Sequence, residues 1–156
     1  MVSGIPLLQR MNQRLAYVAM IALASALWPE IGQAQQLTDR LSEATFADLA
    51  NRCAPSIGPS TLRGLAKRES TLRVFAIGVD DRSPFRLSRQ PVSLDEATAA
   101  AAALDRAGVT YSVGIAQIHI ANVRRYGLQL HQAFSPCVNL QLAAQILGDC
   151  YARTSS

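Results

Sequence analysis

Apolar residues recur at i, i+3, i+4 and i+7 as Phe46, Leu49, Ala50 and Cys53, which predicts one amphipathic helix. Ala54-Pro55 closes it, because the residue before a proline is pushed out of the α region. Residues 56–59 read as a turn, and Ser60 as the cap of a second helix with apolar positions Leu62, Leu65 and Ala66. Residues 77–91 hold Gly78, Asp80, Asp81, Pro84 and Pro91 without a period, so a long surface loop is expected there. Ser93 followed by Glu96 is a capping box, with the carboxylate expected to reach back to the cap N–H. It opens an alanine-rich helix that runs to Ala107, with Gly108 as the C′ residue. Residues 109–120 are β-branched around Gly114 and predict a short strand or hairpin. Residues 122–126 predict one or two helical turns ended by Gly127. After Pro136, the spacing Leu140, Ala143, Ala144, Leu147 and Tyr151 predicts a last amphipathic helix. The pattern is mainly α with a small β element.

The N-terminus follows a different rule. Arg10 and Arg14 precede an apolar run over residues 15–28, then Pro29 and Gly32-Gln33-Ala34. That order is the basic region, short apolar region and small-residue cleavage site of a secretory leader over residues 1–34. The run is short of the ~20 residues that span ~30 Å of hydrocarbon, which sets cleavage against the competing reading of a retained anchor. Residues 35–45 are mostly polar and are expected to form a flexible arm, leaving residues 46–153 as the folded domain. The expected location of the mature chain is the periplasm.

Composition narrows the class further. The 156 residues are 49% hydrophobic and 17% charged, a globular balance that excludes a disordered chain as the overall state. The net charge of +4 rests on 14 arginines and one lysine. These are scattered along the chain and not interleaved with stacking aromatics, so no nucleic-acid partner is expected. Cys53, Cys137 and Cys150 all follow the leader, where disulfides persist; three thiols allow at most one intramolecular pair. No Cys-x-x-Cys is present and His119 and His131 are twelve apart, so neither a metal nor another cofactor is expected.

One carboxylate stands out. Glu69 lies four residues after Leu65 and three after Ala66, which continues the apolar stripe of the second helix near its C-terminus. Desolvation and the negative end of the helix dipole would both raise the pKa of such a carboxyl, as a general acid at neutral pH requires. The competing reading is a core-edge glutamate paired with Arg68, Arg73 or an arginine of the loop. Among the other acids, only Asp80 or Asp81 could serve as a second carboxylate in a two-acid hydrolase.

Lys67-Arg68-Glu69-Ser70, followed about 40 residues later by residues 111–118 (Tyr-Ser-Val-Gly-Ile-Ala-Gln-Ile), resembles the soluble lytic transglycosylase domain. Three further segments are similar to the subgroup that serves type IV secretion and conjugation systems. They are Cys53-Ala54-Pro55, residues 76–79 (Ala-Ile-Gly-Val) and residues 134–140 (Phe-Ser-Pro-Cys-Val-Asn-Leu). The resemblance covers roughly residues 46–151. It implies a lysozyme-like α+β fold acting on peptidoglycan glycan strands, with secretion or conjugation components as partners. The reaction it implies is cleavage of the β-1,4 bond between N-acetylmuramic acid and N-acetylglucosamine, leaving a 1,6-anhydro product. Glu69 maps to the catalytic acid. Ser70 would orient the substrate or the glutamate, and Gly114, Ile115, Gln117, Ile118 and His119 would border the sugar groove.

The chain also departs from that family. Ala116 and His119 stand where the family has Met and Asn, which weakens or replaces sugar contacts. The family's Tyr-Asn-x-Gly motif would follow the last helix and is not reached by Ser156, so a C-terminally shortened domain is expected. The resemblance further implies a Cys53–Cys137 bridge with Cys150 left free, which the chain-entropy argument values on the order of 4 kcal/mol.

Overall fold

The computed structural model describes residues 39–80 and 82–154. The leader, the first residues of the expected arm and Asp81 lie outside them.

Helix α1 (Glu43–Cys53) starts three residues ahead of Phe46, because Ser42 caps it by accepting a hydrogen bond from the Thr45 N–H. Its buried face is Phe46, Ala50 and Cys53, the spacing the sequence predicts. Helix α2 (Pro59–Ser70) begins one residue before Ser60 and takes Gly58 as its N-cap. Pro59 sits in its first turn, where a fixed φ suits the helix and the missing N–H would be unpaired anyway. Strand β1 (Ile77–Val79) occupies the start of the expected loop. Helix α3 (Leu94–Arg106) is capped by Ser93 Oγ and ends before Gly108, whose φ of +66° only glycine adopts readily. Its Glu96 reaches the Val92 N–H and not the cap N–H, because both carboxylate oxygens are also held by Arg89 at 2.9 and 3.0 Å. That fork keeps the Glu96 carboxyl below its ordinary pKa.

Strands β2 (Tyr111–Val113) and β3 (Ile118–His119) form the expected hairpin. With β1 they make an antiparallel sheet of order β1-β2-β3, in which Gly78 faces Ser112 and Val113 faces Ile118. On the open side of β1, the Gln90 carboxamide acts as a surrogate strand. Its Oε1 accepts from the Ile77 N–H at 2.8 Å and its Nε2 donates to the Ile77 carbonyl at 2.9 Å. Helices α4 (Ile120–Arg125), α5 (Leu130–Ala133) and α6 (Pro136–Thr154) complete the described residues. The fold is mainly α with a small antiparallel sheet, consistent with a lysozyme-like α+β arrangement.

Helix α1 packs against α2 and α6, and the core joins their apolar faces to β2 through Phe46, Leu62, Val113, Ile115 and Leu140. Helix α6 buries Leu140, Ala143 and Ala144, but Tyr151 is 60% exposed, so the expected stripe stops short of it. Cys53 is bonded to Cys137 across 84 residues with Cα atoms 5.2 Å apart, tying the end of α1 to the start of α6. Cys150 is exposed and unbridged. Cys137→Ser should lower unfolding free energy by about 2–4 kcal/mol. Denaturant melts in oxidising and reducing buffer check this; equal midpoints for the native chain in both would refute it. No helix among the described residues is long and apolar enough to cross a membrane.

Candidate active site

The stripe of α2 runs through Leu62, Ala66 and Ser70, each one turn plus a fraction after the last. Glu69 therefore falls on the margin of that stripe, and its side chain is exposed. This corrects the expected burial: the helix ends one residue later, so no further turn covers the carboxylate. Ser70 takes the buried place. Its Oγ lies 2.7 Å from the Ile115 carbonyl oxygen and 3.1 Å from that of Ala66, donating one shared hydrogen. It pins the end of α2 to the hairpin turn; the residue borders the second cleft, but its hydroxyl hydrogen is spent on these two carbonyls.

The chain reverses immediately after Glu69-Ser70 through two left-handed non-glycine residues, Thr71 (φ +53°) and Leu72 (φ +64°). Such a conformation costs on the order of 1–3 kcal/mol per residue and survives only where its surroundings hold it. Residues 39–41 supply the hold. The Leu41 N–H donates to the Leu72 carbonyl at 3.0 Å, the Val74 N–H to the Asp39 carbonyl at 2.8 Å, and Arg40 Nη1 to the Thr71 carbonyl at 2.9 Å. Arg73 also pairs with Asp39 at 2.6 Å. These arm residues are strapped to the fold, with Leu41 buried; the polar composition that predicts a loose arm conceals the pairing of Arg40 with Arg73, 33 residues away.

Glu69 borders two clefts. The first, of about 290 Å³, runs from Glu69 past Gly78, Val79 and Asp80 to Tyr111, Ser112, Gln117 and His119. The second, of about 310 Å³, includes Arg68, Arg73, Ile77 and Gln90. Glu69, Gly78 and Gln117 line both. Gln117 sits at φ +50°, and its Nε2 donates to the carbonyls of Gly114 (2.9 Å) and Ala76 (3.2 Å). A Cβ on Gly78 would overlap Gln117 Oε1, so glycine there lets the carboxamide lie across the strand.

Asp80 is the second carboxylate of the first cleft, and it is already committed. Arg82 grips it with Nε at 3.2 Å and Nη2 at 3.0 Å, and the Arg82 N–H adds a bond at 2.8 Å. That grip lowers its pKa to about 2, so Asp80 is a fixed anion and a poor proton donor. A depressed folded pKa stabilises the fold above about pH 4 and is lost between about pH 4 and pH 2. An NMR titration should give Asp80 a midpoint near 2 and Arg82→Gln should return it toward the ordinary range; a midpoint near 4 in the native chain would refute the grip. At the cleft's other side, Tyr111 is buried and donates to Asp105 at 2.9 Å, while Arg124 Nη2 holds the same oxygen at 2.5 Å. Burial first, then the bond to Asp105, pushes the phenol well above its usual pKa.

Beneath the hairpin turn lies Asn139, 1% exposed. Its Oδ1 accepts from the Ala116 N–H at 2.8 Å, and its Nδ2 donates to the carbonyls of Val113 (3.0 Å) and Ala133 (2.8 Å). Gly114, at φ +79°, lies so close that a Cβ would overlap the Asn139 carboxamide. Among the described residues no cluster of three His, Cys, Asp or Glu side chains is arranged to hold a metal.

With this geometry in view, the kinship is informative. The type IV secretion system protein virB1 of Brucella abortus biovar 1 (strain 9-941) is 45% identical over 108 residues, 69% of this chain and 44% of its own length. Protein virB1 of Agrobacterium fabrum (strain C58 / ATCC 33970) is 36% identical over 134 residues, 85% of this chain and 51% of its own. The chain is a homologue of the VirB1 proteins. It spans about half the length of the curated VirB1 relatives it matches. No protein-family model matches it, and no solved structure does.

In this VirB1 homologue the residues expected at the groove divide into two sets. Glu69, Gln117 and His119 line the first cleft, and Ser70 borders the second. Ile115 and Ile118 are buried in the core, and Gly114 contributes backbone alone. His119 has a second task, capping α4 by accepting the Ala121 N–H on Nδ1 at 3.2 Å. Asn139 carries no expected role in the sequence, although its place between Val138 and Leu140 on an apolar helix face is a signal of a buried, satisfied amide.

Proposed function

We propose that the chain is a peptidoglycan lytic transglycosylase that opens the cell wall locally for a type IV secretion or conjugation apparatus. The observation that carries this reading is Glu69 at the junction of two clefts, beside a carboxylate already bound to Arg82. Among the described residues lining the two clefts that leaves Glu69 as the carboxyl free to move a proton, as a mechanism without a second catalytic acid requires. Kinship with the VirB1 proteins supports the apparatus.

On this reading the Glu69 carboxyl protonates the glycosidic oxygen between N-acetylmuramic acid and N-acetylglucosamine as the C1–O bond breaks. The resulting carboxylate then takes the proton from the muramic 6-hydroxyl, whose oxygen closes on C1. The products are a 1,6-anhydromuramic end and a free glucosamine hydroxyl, with no water consumed. Gln117 and the backbone of the Gly114 turn border the strand, and Ser70 holds the end of α2 against that turn. Anhydro-muropeptide release from purified sacculi tests the reading, and sacculi bound without any release would sink it.

A second reading is a wall-binding assembly factor of the same fold with little or no turnover. It is favoured by the exposure of Glu69, whose side chain stands in solvent at the end of α2. The same release assay separates the two. Both readings place the working chain in the periplasm after removal of residues 1–34. The exported form should then begin near Gln35, and an intact mass that still includes Trp28 would refute cleavage.

A further inference from the structure

The two clefts that meet at Glu69 differ in charge. The first is lined by Asp80 with Thr110, Tyr111 and Ser112; the second carries Arg68 and Arg73. Arg73 is taken by Asp39. Arg68 is not taken. Every other arginine or lysine among the described residues is engaged by a carboxylate, a carbonyl, a sulfur or an aromatic ring, as in Arg52–Asp48, Lys67–Glu43, Arg89–Glu96, Arg124–Asp105 and Arg125 over Tyr126. Arg68 stands in the last turn of α2, exposed, next to the glutamate and on the wall of the second cleft. A guanidinium is a planar fork of donors matched to a carboxylate, and a free one at a cleft wall is a carboxylate receptor without its ligand.

We propose that Arg68 binds a carboxylate carried on the branch of the substrate's muramic sugars. This rests on the glycan-strand reading above. The β-1,4 backbone of N-acetylated sugars is uncharged, so recognition of the backbone alone gives this cation nothing to bind. The muramic sugar bears a lactyl branch, and on that branch a stem peptide with carboxylates of its own. With Glu69 at the glycosidic oxygen and Arg68 on the second cleft only, a strand that seats its carboxylated branch there is held in one direction. Arg68 thus selects muramic-containing strands over a plain glucosamine polymer and sets strand polarity.

The test measures binding of labelled soluble strands to the full chain carrying Glu69→Gln, so that nothing is cut. Three ligands of equal length are compared: stem-bearing strands, strands stripped of stems by an amidase to leave the lactyl carboxylate, and uncharged chito-oligosaccharide. The expected result is about 3- to 10-fold tighter binding of a carboxylated strand than of the chito-oligosaccharide, weakening with added salt. Arg68→Gln should bring that ratio close to one, Arg68→Lys should keep part of it, and the charge-matched Arg106→Gln on α3 should keep it whole. If stripped strands retain the preference, the carboxylate is the lactyl one; if only stem-bearing strands show it, the carboxylate is on the stem. Equal affinity for all three ligands, a ratio that survives Arg68→Gln, or one that Arg106→Gln lowers equally, would overturn the proposal. So would failure to bind any strand. An Arg68-dependent ratio in a wild-type chain that releases no anhydro product would leave this subsite standing while removing the catalytic reading.

Discussion

Glu69→Gln is expected to reduce anhydro-muropeptide release by about 10²–10⁴-fold, the usual worth of general acid–base assistance. The amide keeps the shape of the side chain but can neither give up nor accept the glycosidic proton. Because Glu69 is exposed and bears no ion pair in the structure, the fold should hardly notice: a change within about 0.5 kcal/mol is expected. Asp80→Asn removes the partner of Arg82 but no proton in flight, so release should fall far less. Measuring release and thermal stability for both variants separates the alternatives. Equal losses in the two would indicate a two-carboxylate hydrolase, and undiminished release by Glu69→Gln would end the transglycosylase reading.

Asn139→Ala is expected to destabilise the fold by about 3–6 kcal/mol. It strips partners from three buried backbone groups at once, the Ala116 N–H and the carbonyls of Val113 and Ala133, each worth about 1–3 kcal/mol when left unpaired. That is a large share of a total stability of about 5–15 kcal/mol. Whatever remains folded should have a loosened Gly114–Gln117 turn, and with it a displaced Gln117. Urea unfolding of the variant against the native chain checks the size of the loss, and a shift below about 1 kcal/mol would show that the amide is dispensable.

Long, periodic elements were legible from residues alone. The spacing of Phe46, Ala50 and Cys53, the Ser93 cap and Gly108 define α1 and α3 by local physics, and the β-branched residues around Gly114 announce the hairpin. Strand β1 was not legible: three residues centred on a glycine have no period, and the strand exists because β2 offers it a partner. The same distance in sequence hides the strap of residues 39–41 over Thr71 and Leu72. At the site, the helix period drew attention to Glu69 but misjudged its burial. A stripe spaced Leu62, Ala66, Ser70 drifts around the helix, and one position decides between core and cleft. The buried bonds of Ser70 and Asn139 were hidden because their partners, Ile115 and Ala116, lie 45 and 23 positions away.

Gln90 has a consequence beyond its two bonds to Ile77. A three-stranded sheet ending in a strand as short as β1 would otherwise present an unpaired N–H and carbonyl to any extended chain that drifted past, which is how edge-to-edge aggregation begins. Here the vacancy is filled by a side chain from the protein's own loop, one that satisfies both groups and ends there, offering no further backbone for a visitor to extend. At Ile77 the open margin of the sheet is thereby closed to an added strand without a covering helix.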